Sequence, residues 1–184
     1  MTLVRCPWAN SSRQMRDYHD HEWGVPLYDE QKLFEFLCLE GAQAGLSWQT
    51  ILKRRDNYRQ AFCDFQIDKV ANMTSDDIET LMQNPGIIRN RLKIKSVINN
   101  AQVWLQLSKT QLMVEALWQF SPKEAIIYRE HEMIPAFTEE SKQMSKWLKS
   151  QGFSFVGPTI CYAFIQATGM VNDHLSSCFV FDAK

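Results

Sequence analysis

Apolar residues recur at helical spacing, three, four or seven positions apart, through most of this chain. Between positions 33 and 44 they share one face, at Leu33, Phe36, Leu37 and Ala44. The same reasoning predicts further helices at about 48–62, 75–83, 94–105, 116–120, 142–151, 158–168 and 173–178. The best strand candidate, "FSFV" at 153–156, is short. The pattern therefore predicts an all-α protein.

Start and stop signals support these boundaries. Ser47 is placed as an N-cap, and Thr74 followed three residues later by Asp77 is typical of a capping box. Gly152 and Gly169 follow the last apolar residues of two later helices, where glycine ends a helix most readily.

One carboxylate, Glu40, falls among the apolar residues of the 33–44 helix, whereas Glu35 and Gln43 are predicted to face the other way. A carboxylate on the apolar side of a helix costs free energy unless something binds it. Glu40 is therefore either a core carboxylate with a local partner or the polar group of a binding site.

Length and composition indicate an ordinary globular protein. The 184 residues suit one domain over 1–184. No apolar run approaches the ~20 residues that cross a bilayer, and the N-terminal residues do not resemble a signal peptide. We expect a cytoplasmic protein without a membrane partner, and a monomer.

Net charge gives no support to nucleic-acid binding, because it is −1 with a pI of about 6.4. A local basic patch would be sufficient, however. Basic residues cluster in two places, Lys53 to Arg55 and Arg89 to Lys95. Each cluster by itself is equally typical of a solvated helix face.

Cysteines and histidines near the two ends of the chain could form a metal site. His174 and Cys178 are four apart and would share a face of a helix, while Cys6 and either His19 or His21 could supply the other half. Two cysteines and two histidines form a closed tetrahedral zinc site, which is the structural type. Buried cysteines without a metal, or a Cys–His nucleophile pair, are the alternatives.

The residues at about 75–105 predict a helix, a tight turn around Gly86 and a second helix with basic residues at its start. Backbone N–H groups at such a turn can hold a DNA phosphate, as in helix-hairpin-helix elements. Those elements usually carry two glycines, and only one is present here. A plain helical hairpin is the alternative.

The aromatic residues Trp8, Tyr18, Trp23 and Trp48 all lie in the first 48 positions and flank the helix that carries Glu40. Such residues usually belong to a core. Beside a carboxylate they can instead stack a planar heterocycle while the acid accepts hydrogen bonds from its amine edge, especially if the heterocycle is cationic.

Five motifs in collinear order resemble the 3-methyladenine DNA glycosylase I family: "YHDHEWGVP", "LCLEGAQAGLSW", "GIIRNRLKI", "GFSFVGPTICYAFIQATGMVNDH" and a terminal H-x3-C. The resemblance implies an all-α, helix-hairpin-helix glycosylase fold with one structural Zn²⁺ that ties the two termini together. The implied ligands are Cys6, His19, His174 and Cys178, and His21 is not among them.

The resemblance also implies roles for the remaining site residues. A base flipped out of double-stranded alkylated DNA would stack on Trp48, with Glu40 and Tyr18 at its polar edge and Trp8 and Trp23 completing the wall. Gly45 and Leu46 would press against the duplex. Gly86, with Arg89 and Arg91 beside it, would hold the phosphate backbone. Met15 stands where an aromatic residue is expected and could alter the pocket wall.

The implied reaction is hydrolysis of the N-glycosidic bond of 3-methyladenine, which leaves an abasic site without strand cleavage. Two alternatives remain open. The chain could be a non-catalytic zinc-containing DNA-binding module, or a glycosylase for a different modified base.

Overall fold

The computed structural model describes residues 3–124, 127–129 and 133–183, and this part of the chain is helical. Its α-helices are α1 Arg13–His21, α2 Glu30–Gln43, α3 Trp48–Leu52, α4 Arg55–Ala61, α5 Ile67–Ala71, α6 Ser75–Gln83, α7 Arg91–Leu107, α8 Met113–Trp118, α9 Glu139–Ser150 and α10 Pro158–Ala167. Short 3-10 helices cover Pro7–Ser11, Cys63–Phe65 and Phe181–Ala183. The predicted all-α class is confirmed.

The strand candidate at 153–156 does not form a strand. Phe155 has a φ of +56°, which breaks the extended backbone. Both backbone groups of Ser154 bond with the Asn100 side chain, which accepts from the N–H at 2.8 Å and donates to the carbonyl at 3.0 Å. Within the described residues, the one β-bridge joins Tyr128 and Leu175.

The predicted helix boundaries follow their capping residues. The Ser47 side chain accepts from the Thr50 N–H at the start of α3. Thr74 and Asp77 form the reciprocal capping box at the start of α6. Gly152 and Gly169 follow α9 and α10 with φ of +98° and +70°, the left-handed conformation that glycine adopts without strain.

Two helix predictions are wrong. The segment 48–62 forms two short helices, α3 and α4, that are separated at Lys53 and Arg54. The segment 173–178 contains turns and no helix, and the Cys178 N–H donates to the Leu175 carbonyl at 2.8 Å. N-cap residues are present there, but the apolar residues serve a small cluster between the chain ends instead of a helix face.

Helix α2 lies at the centre of the core, since every residue from Leu33 to Ala42 is buried. A helix covered on all sides has no solvent face, so the prediction that Glu35 and Gln43 face away from the core fails. Glu35 is buried and bonds with Arg59 Nε at 2.7 Å and Lys32 Nζ at 2.8 Å.

The two ends of the described chain lie side by side. The Phe179 N–H donates to the Val4 carbonyl at 2.9 Å, and Cys6 and Cys178 pack in one buried cluster with Leu175 and Val180. Among the described residues, no helix has both the length and the apolar character that a membrane span requires.

Candidate active site and metal-ligand cluster

A cavity of about 290 Å³ opens between α1, α2, α3 and α10, with the 3-10 helix Pro7–Ser11 at its side. All five predicted pocket residues line it: Trp8, Tyr18, Trp23, Glu40 and Trp48. They come from separate elements, which the packing of the core brings together.

Aromatic rings form most of the cavity wall. The Tyr18 and Trp48 rings lie 5.4 Å apart at 45°, and the Trp8 and Trp23 rings meet edge to face at 5.0 Å. Phe36 lies behind Trp48, with the two rings 6.5 Å apart and nearly parallel. The indole Nε1 of Trp48 is buried and has no hydrogen-bond partner in the described part of the chain. The wall therefore offers flat apolar faces and one unused donor.

Glu40 projects into this cavity from α2 and is 3% exposed. Its Oε2 is buried and finds no hydrogen-bond partner among the described residues. Burial raises the pKa of Glu40 to about 8. Burial also raises the pKa of Tyr18, and the nearby Glu40 carboxylate adds to that shift, so Tyr18 keeps its hydroxyl proton. The site thus holds a buried carboxyl group with one unpartnered oxygen, and its pKa of about 8 keeps it largely protonated at neutral pH.

Reasoning from the sequence missed several cavity residues. Gln43 lines the cavity together with Glu40, although it was predicted to face away. Its position three residues after Glu40 was the available signal, because residues three apart on a helix are neighbours. Gln166 comes from α10 and donates to Asp173 Oδ2 at 2.8 Å, and no sequence pattern links it to α2. Met15, which stands where the family resemblance leads one to expect an aromatic residue, lies in the cavity wall.

The turn after α2 presents the two residues that were expected to meet DNA. Gly45 has a φ of +77°, and no described residue lies within 4 Å of where its Cβ would be. Leu46 is 40% exposed although it is apolar. Gly45 therefore offers an open backbone and Leu46 an exposed apolar side chain.

The segment around Gly86 joins α6 to α7, as expected for the helical hairpin. A Cβ on Gly86 would lie 2.9 Å from the Cβ of Asn57, so only glycine fits without a shift. The Gly86 N–H donates to Asn84 Oδ1 at 2.8 Å. Arg91 pairs with Glu79, and Arg89 is exposed.

The four predicted metal ligands, Cys6, His19, His174 and Cys178, converge. All four are buried, and their ligand atoms lie within 4.8 Å of one another. Cys178 Sγ lies 3.4 Å from His19 Nε2 and 3.7 Å from His174 Nδ1, and Cys6 Sγ lies 3.7 Å from the same Nδ1. His19 belongs to this cluster, whereas His21 is exposed and lies outside it. This cluster could hold a metal ion.

The second nitrogen of each histidine is also engaged. His19 Nδ1 lies 2.8 Å from Asp20 Oδ1, and Asp20 in turn accepts two hydrogen bonds from Arg5 Nε and Nη2. His174 Nε2 lies 3.2 Å from the Trp23 carbonyl oxygen. Such outer contacts orient ligand histidines in metal sites. Trp23 also lines the cavity, so the cluster and the cavity share a wall.

Comparison with known proteins agrees with the motifs. The family model described as methyladenine glycosylase matches residues 8–181. The DNA-3-methyladenine glycosylase of Haemophilus influenzae is 47% identical over 178 residues, which are 95% of this chain and 96% of that protein. The DNA-3-methyladenine glycosylase 1 of Escherichia coli is 48% identical over 179 residues, 96% of each chain.

The fold agrees as well. A structure of 3-methyladenine DNA glycosylase I from Staphylococcus aureus, described as the structural basis of its 3-methyladenine recognition, has a TM-score of 0.91 to this chain at 36% identity. The likeness covers 97% of both chains. The chain therefore belongs to the methyladenine glycosylase family.

Proposed function

We propose that this chain is a DNA-3-methyladenine glycosylase that hydrolyses the N-glycosidic bond of 3-methyladenine in alkylated DNA and leaves an abasic site without strand cleavage. The family and the names of its relatives support this activity. The observation that carries it in this chain is the buried carboxyl group of Glu40 in an aromatic cavity, with one oxygen that has no hydrogen-bond partner among the described residues.

The cavity suits one flipped base. Its volume of about 290 Å³ lies at the small end of the range for ligand pockets. Trp48 supplies a stacking face, Trp8 and Trp23 complete the wall, and Glu40 and Tyr18 face the polar edge of the base. Methylation at N3 gives the adenine in DNA a positive charge. A cation next to Glu40 favours the ionised carboxylate, and the aromatic faces attract the same charge.

The reaction needs little acid–base help, because the positive charge already makes the base a good leaving group. Water adds to C1′ of the sugar, the bond to the base breaks with its electron pair going to the base, and the water proton is released. No aspartate occurs between Asp77 and Asp173, so no aspartate close after the hairpin can assist the reaction. Glu40 accepts hydrogen bonds from the amine edge of the extruded base and holds it in the cavity while the bond breaks.

Two elements would hold the duplex. Gly45 and Leu46 press against the stack where the base has left, because their turn is open and apolar. The hairpin around Gly86 would contact the phosphate backbone, with Arg89 free at the surface and Arg91 exchanging Glu79 for a phosphate. Such contacts are not specific for sequence, and their strength falls with rising salt.

We propose that the four-residue cluster binds one structural Zn²⁺. Tetrahedral zinc with its usual bonds to sulfur and nitrogen separates the two ligand atoms by about 3.6 Å. The three measured sulfur–nitrogen distances are 3.4, 3.7 and 3.7 Å. With Cys6, His19, His174 and Cys178 bound, no position is left for water, so the ion would stabilise the fold and take no part in hydrolysis.

The test is release of free base from methylated duplex DNA, separated by chromatography. We expect wild-type protein to release 3-methyladenine. Glu40→Gln keeps the shape of the side chain and removes its charge, so we expect a loss of at least tenfold in the single-turnover rate. Glu30→Gln is the matched control on the same helix, because the new amide oxygen can still accept from Trp104 Nε1. It should retain the wild-type rate.

The outcomes separate the alternatives. DNA binding without release of any base would indicate a non-catalytic module. Release of another methylated base in place of 3-methyladenine would indicate a glycosylase of different specificity. Wild-type release by Glu40→Gln would remove Glu40 from the reaction.

A further inference from the structure

Lys93 is a buried cation to which nothing above gives a role. It lies in the first turn of α7 and is 9% exposed. Its Nζ donates to the carbonyl of Ala42 at 2.8 Å and to that of Ala44 at 2.6 Å. Ala42 belongs to the last turn of α2, and Ala44 is the residue that ends it. One side chain therefore joins two helices that are about fifty positions apart in sequence.

The charge of Lys93 suits α2 and does not suit α7. A cation near a helix N-terminus is unfavourable, and the start of α7 is already capped by Asn90, whose side chain accepts from the Leu92 and Lys93 N–H groups. The last turn of α2 has no basic residue of its own. A cation on its free carbonyls is favourable because the helix dipole is negative there. Burial lowers the pKa of Lys93, a cost that two charge-assisted hydrogen bonds offset.

The carbonyl of Ala44 belongs to the turn that carries Gly45 and Leu46. In this turn the Leu46 N–H donates to the Gln43 carbonyl at 2.6 Å, and Ser47 then caps α3. An open turn with a glycine at φ +77° has few contacts of its own that define its position. The hydrogen bond from Lys93 fixes this turn relative to α7, the helix that follows the segment around Gly86.

We propose that Lys93 is a positioning residue. It fixes the position of the Gly45–Leu46 turn relative to the Gly86 hairpin, so that both elements contact duplex DNA at the same time. This inference rests on the proposed function, since it assumes that the turn fills the space left by the flipped base. A displacement of about 1 Å in a positioning group can cost a hundredfold in rate. Lys93 acts through the turn and does not touch the base.

The experiment compares Lys93→Met with Lys109→Met. Methionine keeps an unbranched side chain of similar length and removes both hydrogen bonds. Lys109 lies just beyond the end of α7 and is exposed, so its substitution removes the same charge at a distance from the turn. Two properties are measured: single-turnover base release from methylated duplex DNA, and binding of free 3-methyladenine followed by tryptophan fluorescence.

We expect Lys93→Met to release base from the duplex at least tenfold more slowly than wild type, while its affinity for free 3-methyladenine changes less than threefold. Lys93→Arg, which restores donors to the carbonyls, should recover most of the duplex rate. Lys109→Met should match wild type in both measurements. If Lys93→Met does not fold, Lys93→Gln, with a shorter and uncharged side chain, should show the same divergence of the two readouts.

A wild-type duplex rate in a folded Lys93 variant would overturn the inference. Parallel losses of duplex rate and free-base affinity would also overturn it, because they would indicate a general structural role. Failure of wild type and Lys109→Met to release base would instead count against the proposed function itself.

Discussion

Glu35 and Glu40 lie on the same helix and both are buried, yet only Glu35 has cationic partners in the described structure. Glu35 bonds with Arg59 and Lys32, so its ionised form has partners. Glu40 has an oxygen with no partner in the described structure, and burial raises its pKa to about 8. Burial without compensation is costly for the free protein. A cationic ligand would supply the missing partner.

The raised pKa predicts how stability depends on pH. Unfolded Glu40 has a pKa near 4.5 and folded Glu40 one of about 8. The favourable contribution of the neutral form is fully present below pH 4.5 and is lost as the pH rises through 8. Glu40→Gln removes this loss. We expect the variant to be more stable than wild type by roughly 5 kcal/mol at pH 9 and by about 1 kcal/mol at pH 5.

Urea denaturation of wild type and Glu40→Gln at pH 5 and pH 9 measures the difference in unfolding free energy between the two proteins at each pH. The other titrating groups are the same in both proteins, so their contributions cancel. Glu30→Gln, in the exposed first turn of the same helix, is the matched control in the same denaturation series. A constant difference between wild type and Glu40→Gln would mean that Glu40 is already ionised in the free protein.

At the scale of elements, the cavity depends on how the end of α10 meets the segment before α2. The Gly24 N–H donates to the Gln166 carbonyl at 3.2 Å, and the Leu27 N–H donates to the Thr168 carbonyl at 3.1 Å. Gly169 has a φ of +70°, and a Cβ there would lie 2.3 Å from the Val25 carbonyl carbon. The glycine therefore allows both the turn and the close approach, which places Gln166 at the cavity.

Gly169→Ala tests this contact. The new methyl group would collide with backbone atoms and would also strain the left-handed conformation, so we expect the free energy of unfolding to fall by about 3 kcal/mol or more. Gly157→Ala is the control, because its φ is −66° and no described residue lies within 4 Å of the added Cβ. The control should change stability by less than about 1 kcal/mol. Similar values for the two variants in urea denaturation would refute the argument.

At the scale of the whole molecule, the four-residue cluster connects the beginning of the described chain with its end. Cys6 precedes α1 and His19 belongs to it, whereas His174 and Cys178 follow α10. A metal ion at this cluster would join segments separated by most of the sequence. It would also support the cavity, because the His174 ring lies 4.6 Å from the ring of Trp23.

Removal of one ligand tests the proposed zinc. We expect about one zinc per wild-type chain by atomic emission, a lower content in Cys178→Ser, and a melting temperature that is at least about 10 °C lower. The folded fraction of the variant should still release base at close to the wild-type rate at low temperature, since the ion has no open position. Cys63→Ser, at an exposed cysteine, should leave metal content and melting unchanged. Wild-type protein without stoichiometric metal would contradict the assignment.

The sequence by itself determined the features that depend on local spacing. The all-α class, the caps at Ser47 and Thr74 and the glycine stops at Gly152 and Gly169 follow from helical period and backbone preferences, which act over a few residues. The family motifs predicted which four cysteines and histidines cluster and which aromatic residues line the cavity. The placement of Glu40 on a buried helix face followed from the same periodicity.

Only the tertiary structure decided what depends on contacts between distant segments. The structure shows the burial of Glu35, the cavity position of Gln166 and the bonds from Lys93 to α2. Residues 33–42 of α2 are covered on all sides, and a periodic pattern cannot describe a helical segment without a solvent face. His174 and Cys178 converge through turns, not on the expected helix. The local helix preference of 173–178 does not decide its structure, because the two ends of the described chain pack against each other. The free energy of that packing depends on residues that are far apart in the sequence.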